Sequence, residues 1–138
     1  MKAIGIQIQG EEVILVVLEK NESGQIIQTD ESIKFNIIDH CNSVQVQQFR
    51  DQVNSTFDSI KPTFIGIKAR NANGQGKYSP SPVSFKLEGI IQLYAKVSID
   101  FVSSQTISAY KKKNDVFPPS KNKYQQDAYD VAFYLLTK

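Results

Sequence analysis

The spacing of hydrophobic positions changes along the chain and marks out its elements. From Lys2 to Gln9 they alternate, with Ile4, Ile6 and Ile8 on one side and Gly5, Gln7 and Gln9 on the other, as in a strand. Gly10-Glu11 turns the chain, and Val13 to Leu18 is an unbroken aliphatic run, expected of a strand buried on both faces. Asn21-Glu22-Ser23-Gly24 makes a second turn, and Ile26 to Phe35 reads as a third, more polar strand suited to a sheet edge. Such runs joined by short Gly/Asn turns predict an antiparallel meander. From Ser43 the spacing lengthens. Val46, Phe49, Val53, Phe57 and Ile60 recur at threes and fours among Gln, Asp, Asn and Ser, an amphipathic helix that Lys61-Pro62 stops. Thr63 to Ile67 is again apolar. This strand must run parallel to the first, because a helical crossover joins parallel neighbours.

Ser81-Pro82 is an N-cap and N1 pair for a second helix with Val83, Leu87, Ile90, Ile91 and Tyr94 toward the core. Gly89 inside it costs about 1 kcal/mol relative to Ala, which predicts close approach by a neighbouring element. Val97 to Val102 is a fifth strand, and Ser103 or Ser104 caps a short helix ending in Lys111-Lys112-Lys113. After Pro118-Pro119 a last helix starts near Lys123 and buries Tyr124, Ala128, Val131, Ala132 and Leu135. The class is α/β: a mixed five-stranded sheet, three antiparallel strands then two parallel, with helices packed on it. This order is the ribonuclease H-like arrangement.

At 138 residues the chain is expected to form one domain, residues 1–138. Its net charge of +2 is too small to argue by itself for nucleic acid or an anionic membrane. One cysteine excludes an internal disulfide, and Cys41 with His40 makes no metal set by spacing. No apolar run approaches the ~18 residues of a membrane span, and Met1 leads directly into a strand. A cytoplasmic protein with no membrane partner is expected, and the sequons at Asn21 and Asn54 read as chance matches.

Charge collects where the fourth strand ends, in Lys68-Ala69-Arg70. The Gly/Asn-rich stretch Asn71 to Ser79, with Gly74-Gln75-Gly76-Lys77, follows, and then Lys86 and Glu88 on the next helix. Open α/β sheets place sites at the carboxyl ends of their strands. Lys68, Arg70, Lys77 and Lys86 are therefore the candidate phosphate- or nucleic-acid-binding residues. The glycine stretch is not a Walker A loop, which needs more residues and Lys-Ser/Thr entering a helix. Lys111-Lys112-Lys113 reads first as complement to a helix macrodipole, with nucleic-acid contact the alternative.

Three segments carry a specific resemblance. Ile4-Gly5-Ile6-Gln7 resembles the first strand of RuvC-type Holliday junction resolvases, where the residue after Gly-Ile is a catalytic Asp. Phe64-Ile65-Gly66-Ile67-Lys68 resembles their fourth strand, whose last position is a catalytic Glu. Gln126-Asp127-Ala128-Tyr129-Asp130-Val131-Ala132 resembles their final helix, with two Asp three apart. A closer resemblance is to a family of small bacterial proteins of unknown function that share Ile67-Lys68-Ala69-Arg70, Ser84-Phe85-Lys86-Leu87-Glu88-Gly89, Ser104-Gln105-Thr106 and Lys123-Tyr124-Gln125.

The resolvase resemblance implies carboxylates gathered around two divalent cations, yet Gln7 and Lys68 stand at two of the acid positions. An ammonium ~4 Å from a cation at an effective dielectric near 20 costs ~4 kcal/mol per unit charge, about twice that for a dication. Lys68 is expected to replace the metal and pair with Asp127 or Asp130. Gln7, Lys68, Glu88, Asp127 and Asp130 are thus relic or rearranged catalytic candidates, and no metal ligand is assigned. The leading expectation is a catalytically degenerate domain that binds nucleic acid or phosphate through its basic strand-end loop. One alternative is a protein-interaction module or a homodimer through helix 82–95, since RuvC-type resolvases dimerise through the corresponding helix. The other is a nuclease using Mg²⁺ or Mn²⁺ with Glu88, Asp127 and Asp130.

Overall fold

A computed structural model describes residues 1–70, 80–114 and 117–138. Strands β1 (Lys2–Gln9) and β2 (Glu12–Lys20) pair antiparallel along their full lengths, from Lys2↔Glu19 to Gln9↔Glu12. Gly10 closes their turn at φ 61°, a left-handed conformation that glycine adopts without steric cost.

The expected third strand is in fact two, which makes the sheet six-stranded. β3 (Ile26–Gln28) pairs with the end of β2, and β4 (Ile33–Asn36) with its beginning. Between them the Val17 N–H donates to Ser32 Oγ at 3.1 Å, while Thr29 N–H donates to Val17 O at 3.0 Å. A hydroxyl has taken over one ladder bond, so the edge is interrupted where a long flat strand would invite pairing with other chains.

Helix α1 (Ser43–Ile60) starts at Asn42, whose side chain accepts from Val44 N–H and Gln45 N–H. It ends at Lys61 in the left-handed region, φ 56°, and Pro62 cannot continue it. The chain returns as β5 (Phe64–Lys68), parallel to β1 in the register Ala3↔Phe64 to Ile6↔Ile67. Helix α2 (Pro82–Gln92) leads to β6 (Ile99–Val102), parallel to β5 and two residues shorter at its start than expected. Helix α3 (Ser104–Lys113) is capped by Ser103 Oγ. A 3-10 turn (Lys123–Gln125) precedes the last helix, α4 (Gln126–Thr137). The strand order β3-β2-β1-β5-β6 puts β1 at the centre.

Each sheet face carries its own core. Ile4, Ile6, Ile8, Ile65 and Ile67 pack with Phe49, Val53 and Phe57 of α1 and Leu87 and Ile91 of α2. On the other face Ala3, Ile14, Val16 and Leu18 pack with Ala128, Val131, Ala132 and Leu135 of α4. The sparse side of β1 is therefore roofed by α4. Gly5 and Gly66 are register partners beneath that helix, and a Cβ on Gly5 would lie 1.9 Å from Ala128 O. Close approach occurs there and not at Gly89, which is exposed with nothing within 4 Å of its would-be Cβ. Tyr124 is not buried either. It is 49% exposed on the 3-10 turn, with Lys34 Nζ 4.7 Å from its ring centroid. Among the described residues no helix is long and apolar enough to cross a membrane.

Candidate functional site at the strand ends of β1 and β5

Gln7 and Lys68 extend β1 and β5 one residue beyond their last pair, Ile6↔Ile67. Strand alternation turns both toward the face that carries α4. Asp127, in the first turn of α4, meets them. Lys68 Nζ lies 2.8 Å from Asp127 Oδ2, and Gln7 Nε2 donates to the same oxygen at 3.0 Å. An acid in a first helical turn is also favoured by the helix dipole. Asp130, three residues on and buried, accepts from Lys111 Nζ at 2.8 Å on Oδ2 and from Gln126 Nε2 at 2.9 Å on Oδ1. Burial, followed by the Asp130 charge, raises the neighbouring Tyr129 phenol above its ordinary pKa. A cleft of about 170 Å³ opens between Lys68, Lys111, Asp127 and Asp130, with Ser104 and Ser108 on its α3 wall.

Each Asp of α4 thus has its own lysine. Lys68 finds Asp127 as expected. For Lys111 the sequence offers macrodipole complementation or nucleic-acid contact, and neither reading names Asp130. A signal that could have found the pair is Asp130 itself: it lies within the buried run Ala128 to Ala132 of the last helix, and a buried carboxylate without a cation is strongly unfavourable.

The other sequence candidates form a second group. Arg70 forms an ion pair with Glu88, with the two side chains only 12% and 13% exposed. The Arg70 guanidinium stacks 4.3 Å from the Phe85 ring centroid, and its Nη2 donates to Ser84 O at 3.4 Å. Its Nε is buried without a hydrogen-bond partner among the described residues. Lys86 Nζ donates to His40 O at 2.6 Å. Lys77 and the rest of the glycine-rich stretch lie outside the described residues. The structure therefore brings Gln7, Lys68 and Asp127 together, and gives Glu88 to Arg70.

A family model described as protein of unknown function (DUF3010) matches residues 1–135. The chain belongs to that family. No curated protein matches this DUF3010 chain in sequence. Among solved structures it is similar to Thermus thermophilus RuvC, at 11% identity over 96% of this chain and 91% of that one, with a TM-score of 0.65. T. thermophilus RuvC in complex with a Holliday junction substrate gives 12% identity, 96% and 90% coverage, and a TM-score of 0.66. The yeast mitochondrial Holliday junction resolvase Ydc2 gives 10%, 97%, 75% and 0.58. At such identities the likeness establishes the fold, which is the RuvC-type, ribonuclease H-like one.

The divalent metals implied by the resemblance do not fit the residues of this DUF3010 chain. Mg²⁺ takes octahedral oxygen ligands and is anchored by carboxylates, with waters completing its shell. Here both carboxylates carry ammonium partners, and Gln7 presents an N–H to Asp127, the only orientation of its amide that a carboxylate can accept. Among the described residues no three His, Cys, Asp or Glu side chains gather as a metal-binding group.

Proposed function

We propose that this chain is a catalytically degenerate RuvC-like domain that binds the phosphate backbone of nucleic acid without cutting it. The observation that carries the loss of catalysis is the 2.8 Å contact of Lys68 Nζ with Asp127 Oδ2, shared with the Gln7 amide. A fixed positive charge beside the carboxylate both repels a dication, at ~4 kcal/mol per unit charge, and occupies the oxygen it would use. The binding half is supported by the fold, which one neighbour exhibits in complex with Holliday junction substrate, and by the lysines near the carboxyl ends of the strands. Lys68, Lys77 and Lys86 are the proposed phosphate contacts in and beside the strand-end loop. Arg70, the fourth candidate of the basic group, is engaged by Glu88 and Phe85 and contributes less free charge than the lysines. For the alternative of a homodimer through residues 82–95, Leu93, 72% exposed, is an available apolar side chain, because Leu87, Ile91 and Tyr94 face the chain's own core.

The test is a salt series of binding to a four-way DNA junction, a linear DNA duplex and an RNA duplex, with and without Mn²⁺. The expected result is affinity that falls steeply with salt, no strand cleavage, and no metal binding at the site by calorimetry. Cleavage that disappears in Asp127→Asn would refute the proposal.

A further inference from the structure

We infer that the groove between the β4–α1 connection and the first turns of α1 is a subsite for one unpaired nucleobase. Ile38 would pack on the face of the base, and the amides of Asn36, Gln45, Gln48 and Gln52 would meet its edge. This rests on the nucleic-acid reading above and adds a contact with a base, where that reading names only phosphates. Ile37 and Phe49, 4% and 3% exposed, lie at the bottom of the groove, and Ile38 and the four amides complete its lining. Its volume is about 310 Å³, at the lower end of small-molecule sites. No charged side chain lines it.

The groove opens at the end of the sheet that carries the strand-end site. Asn36 is the register partner of Glu12, and Glu12 that of Gln9, which follows Gln7 by two residues on β1. Helix α2 reaches the same connection, where Lys86 Nζ donates to His40 O at 2.6 Å. A proposed phosphate contact is thus fixed two residues along the chain from Ile38. The connection is itself pinned. Asp39 N–H donates to Gln45 Oε1 at 2.9 Å, Cys41 N–H to Asp39 Oδ1 at 3.0 Å and Asn42 N–H to Asp39 O at 3.1 Å. Ile38, just before this turn, is 84% exposed, so an aliphatic side chain is held in water while its neighbour Ile37 joins the core. Gln45 keeps its Nε2 donor, and the side chains of Asn36, Gln48 and Gln52 make no hydrogen bond among the described residues. Glutamines on a helix face are ordinarily just solvated, but these share a concave surface with buried apolar side chains and an outward isoleucine. A base has apolar faces and an edge of neutral donors and acceptors, and Asn and Gln amides pair with such an edge, bidentately with adenine N6 and N7. Unstacked bases are recognised through their faces and edges in this way. A phosphate is gripped chiefly by cationic donors, and this groove has none.

The test uses three DNA duplexes of one sequence: fully paired, with a single bulged adenine, and with an abasic site in place of that adenine. Fluorescence anisotropy would compare the wild type with Ile38→Ala/Gln48→Ala/Gln52→Ala. All three side chains are exposed, and thermal midpoints check that the variant folds. The wild type should bind the adenine bulge about tenfold more tightly than the abasic bulge, near the low end of what one bidentate amide–base pair supplies. The variant should bind the two bulges alike and keep the wild-type affinity for the paired duplex. Equal wild-type affinity for the adenine and abasic bulges would overturn the proposal, and so would a preference that survives in the variant. Either result would leave the phosphate-binding reading standing. A dimer in light scattering that the variant disrupts would overturn the proposal by giving the groove to a second copy. Absence of wild-type binding to any of the three duplexes would overturn both readings.

Discussion

Substituting Gly5 by Ala tests the packing that creates the site. The added methyl would sit 1.9 Å from Ala128 O and 2.8 Å from Ala132 N, about 1.5 Å and 0.6 Å inside the 3.4 Å at which ordinary contact begins. Both obstacles are backbone atoms of α4, so no side-chain rotation relieves them. The helix must lift by more than an ångström, and a gap of even 0.5–1 Å forfeits a quarter to a half of each dispersion contact it opens. Overpacking of this kind costs 1–3 kcal/mol and occasionally more, and the rigid obstacle puts Gly5→Ala at about 3 kcal/mol or above. At roughly 3–5 °C per kcal/mol for a domain of this size, its melting temperature should fall by about 10–15 °C. At Gly66 the obstacles are Leu135 Cδ1 at 2.7 Å and Val131 Cγ1 at 2.8 Å, side-chain ends that can turn, so Gly66→Ala should cost about 1–2 kcal/mol. Gly89→Ala meets nothing and should gain about 0.5–1 kcal/mol from helix propensity. Urea unfolding with coincident spectroscopic probes, checked by calorimetry, measures all three. A Gly5→Ala protein within about 0.5 kcal/mol of wild type, the range of a neutral surface change, would show that α4 does not rest on β1 at this spacing.

Arg70→Ala leaves Glu88 buried without its cation and should cost on the order of 3 kcal/mol. Arg70→Met/Glu88→Leu should recover most of that in the same urea assay, and a double variant no better than the single would contradict the pairing. Gln7→Asp/Lys68→Glu replaces an amide and an ammonium by carboxylates around Asp127 and should bind Mn²⁺ more tightly than the wild type in calorimetry; no added heat from the double variant would count against the proposal that Gln7 and Lys68 keep a dication from this site. Tyr94, buried and donating to Asp58 at 2.8 Å, has its phenol raised from 10 to about 12 by burial first and the Asp58 bond second. Its contribution to stability is full below pH 10 and lost as pH rises toward 12, because the unfolded chain ionises first. Stability should fall over that interval and fall less in Tyr94→Phe; identical alkaline profiles would exclude Tyr94 as the cause. Asp58 is depressed by its bonds from Lys96 and then Tyr94, so its smaller contribution is present above the ordinary carboxylate range and fades in acid.

Much of the architecture follows from spacing alone. Periods of two and of three to four, Asn42 and Pro62 around α1, and Ser81-Pro82 before α2 depend on backbone preferences local to each segment. Their order then restricts the sheet to one parallel return after the first helix, since crossovers join parallel strands. The pairing of Lys68 with an Asp of the last helix was legible too, through the motif likeness and the unfavourable charge an ammonium brings to a metal position.

Other features depend on which distant segment covers a surface, and local pattern does not carry that. Alternation in β1 separates Gly5 and Gln7 from the isoleucines, but only the docking of α4 makes that side a helix seat with a polar site at its end. Sequence singles out Gly89 in the middle of α2 and passes over Gly5 in β1, and tertiary packing makes the second indispensable and the first incidental. A lysine run at a helix end has the same composition whether one member reaches a buried carboxylate or none does, and α3 lying against α4 is what sends Lys111 to Asp130. Sequence determined the elements and their order because hydrogen bonding and side-chain entropy act over a few residues. The burial of charge and the choice of ion-pair partners were decided by the assembled fold, because electrostatic and contact energies depend on distance in space and not along the chain.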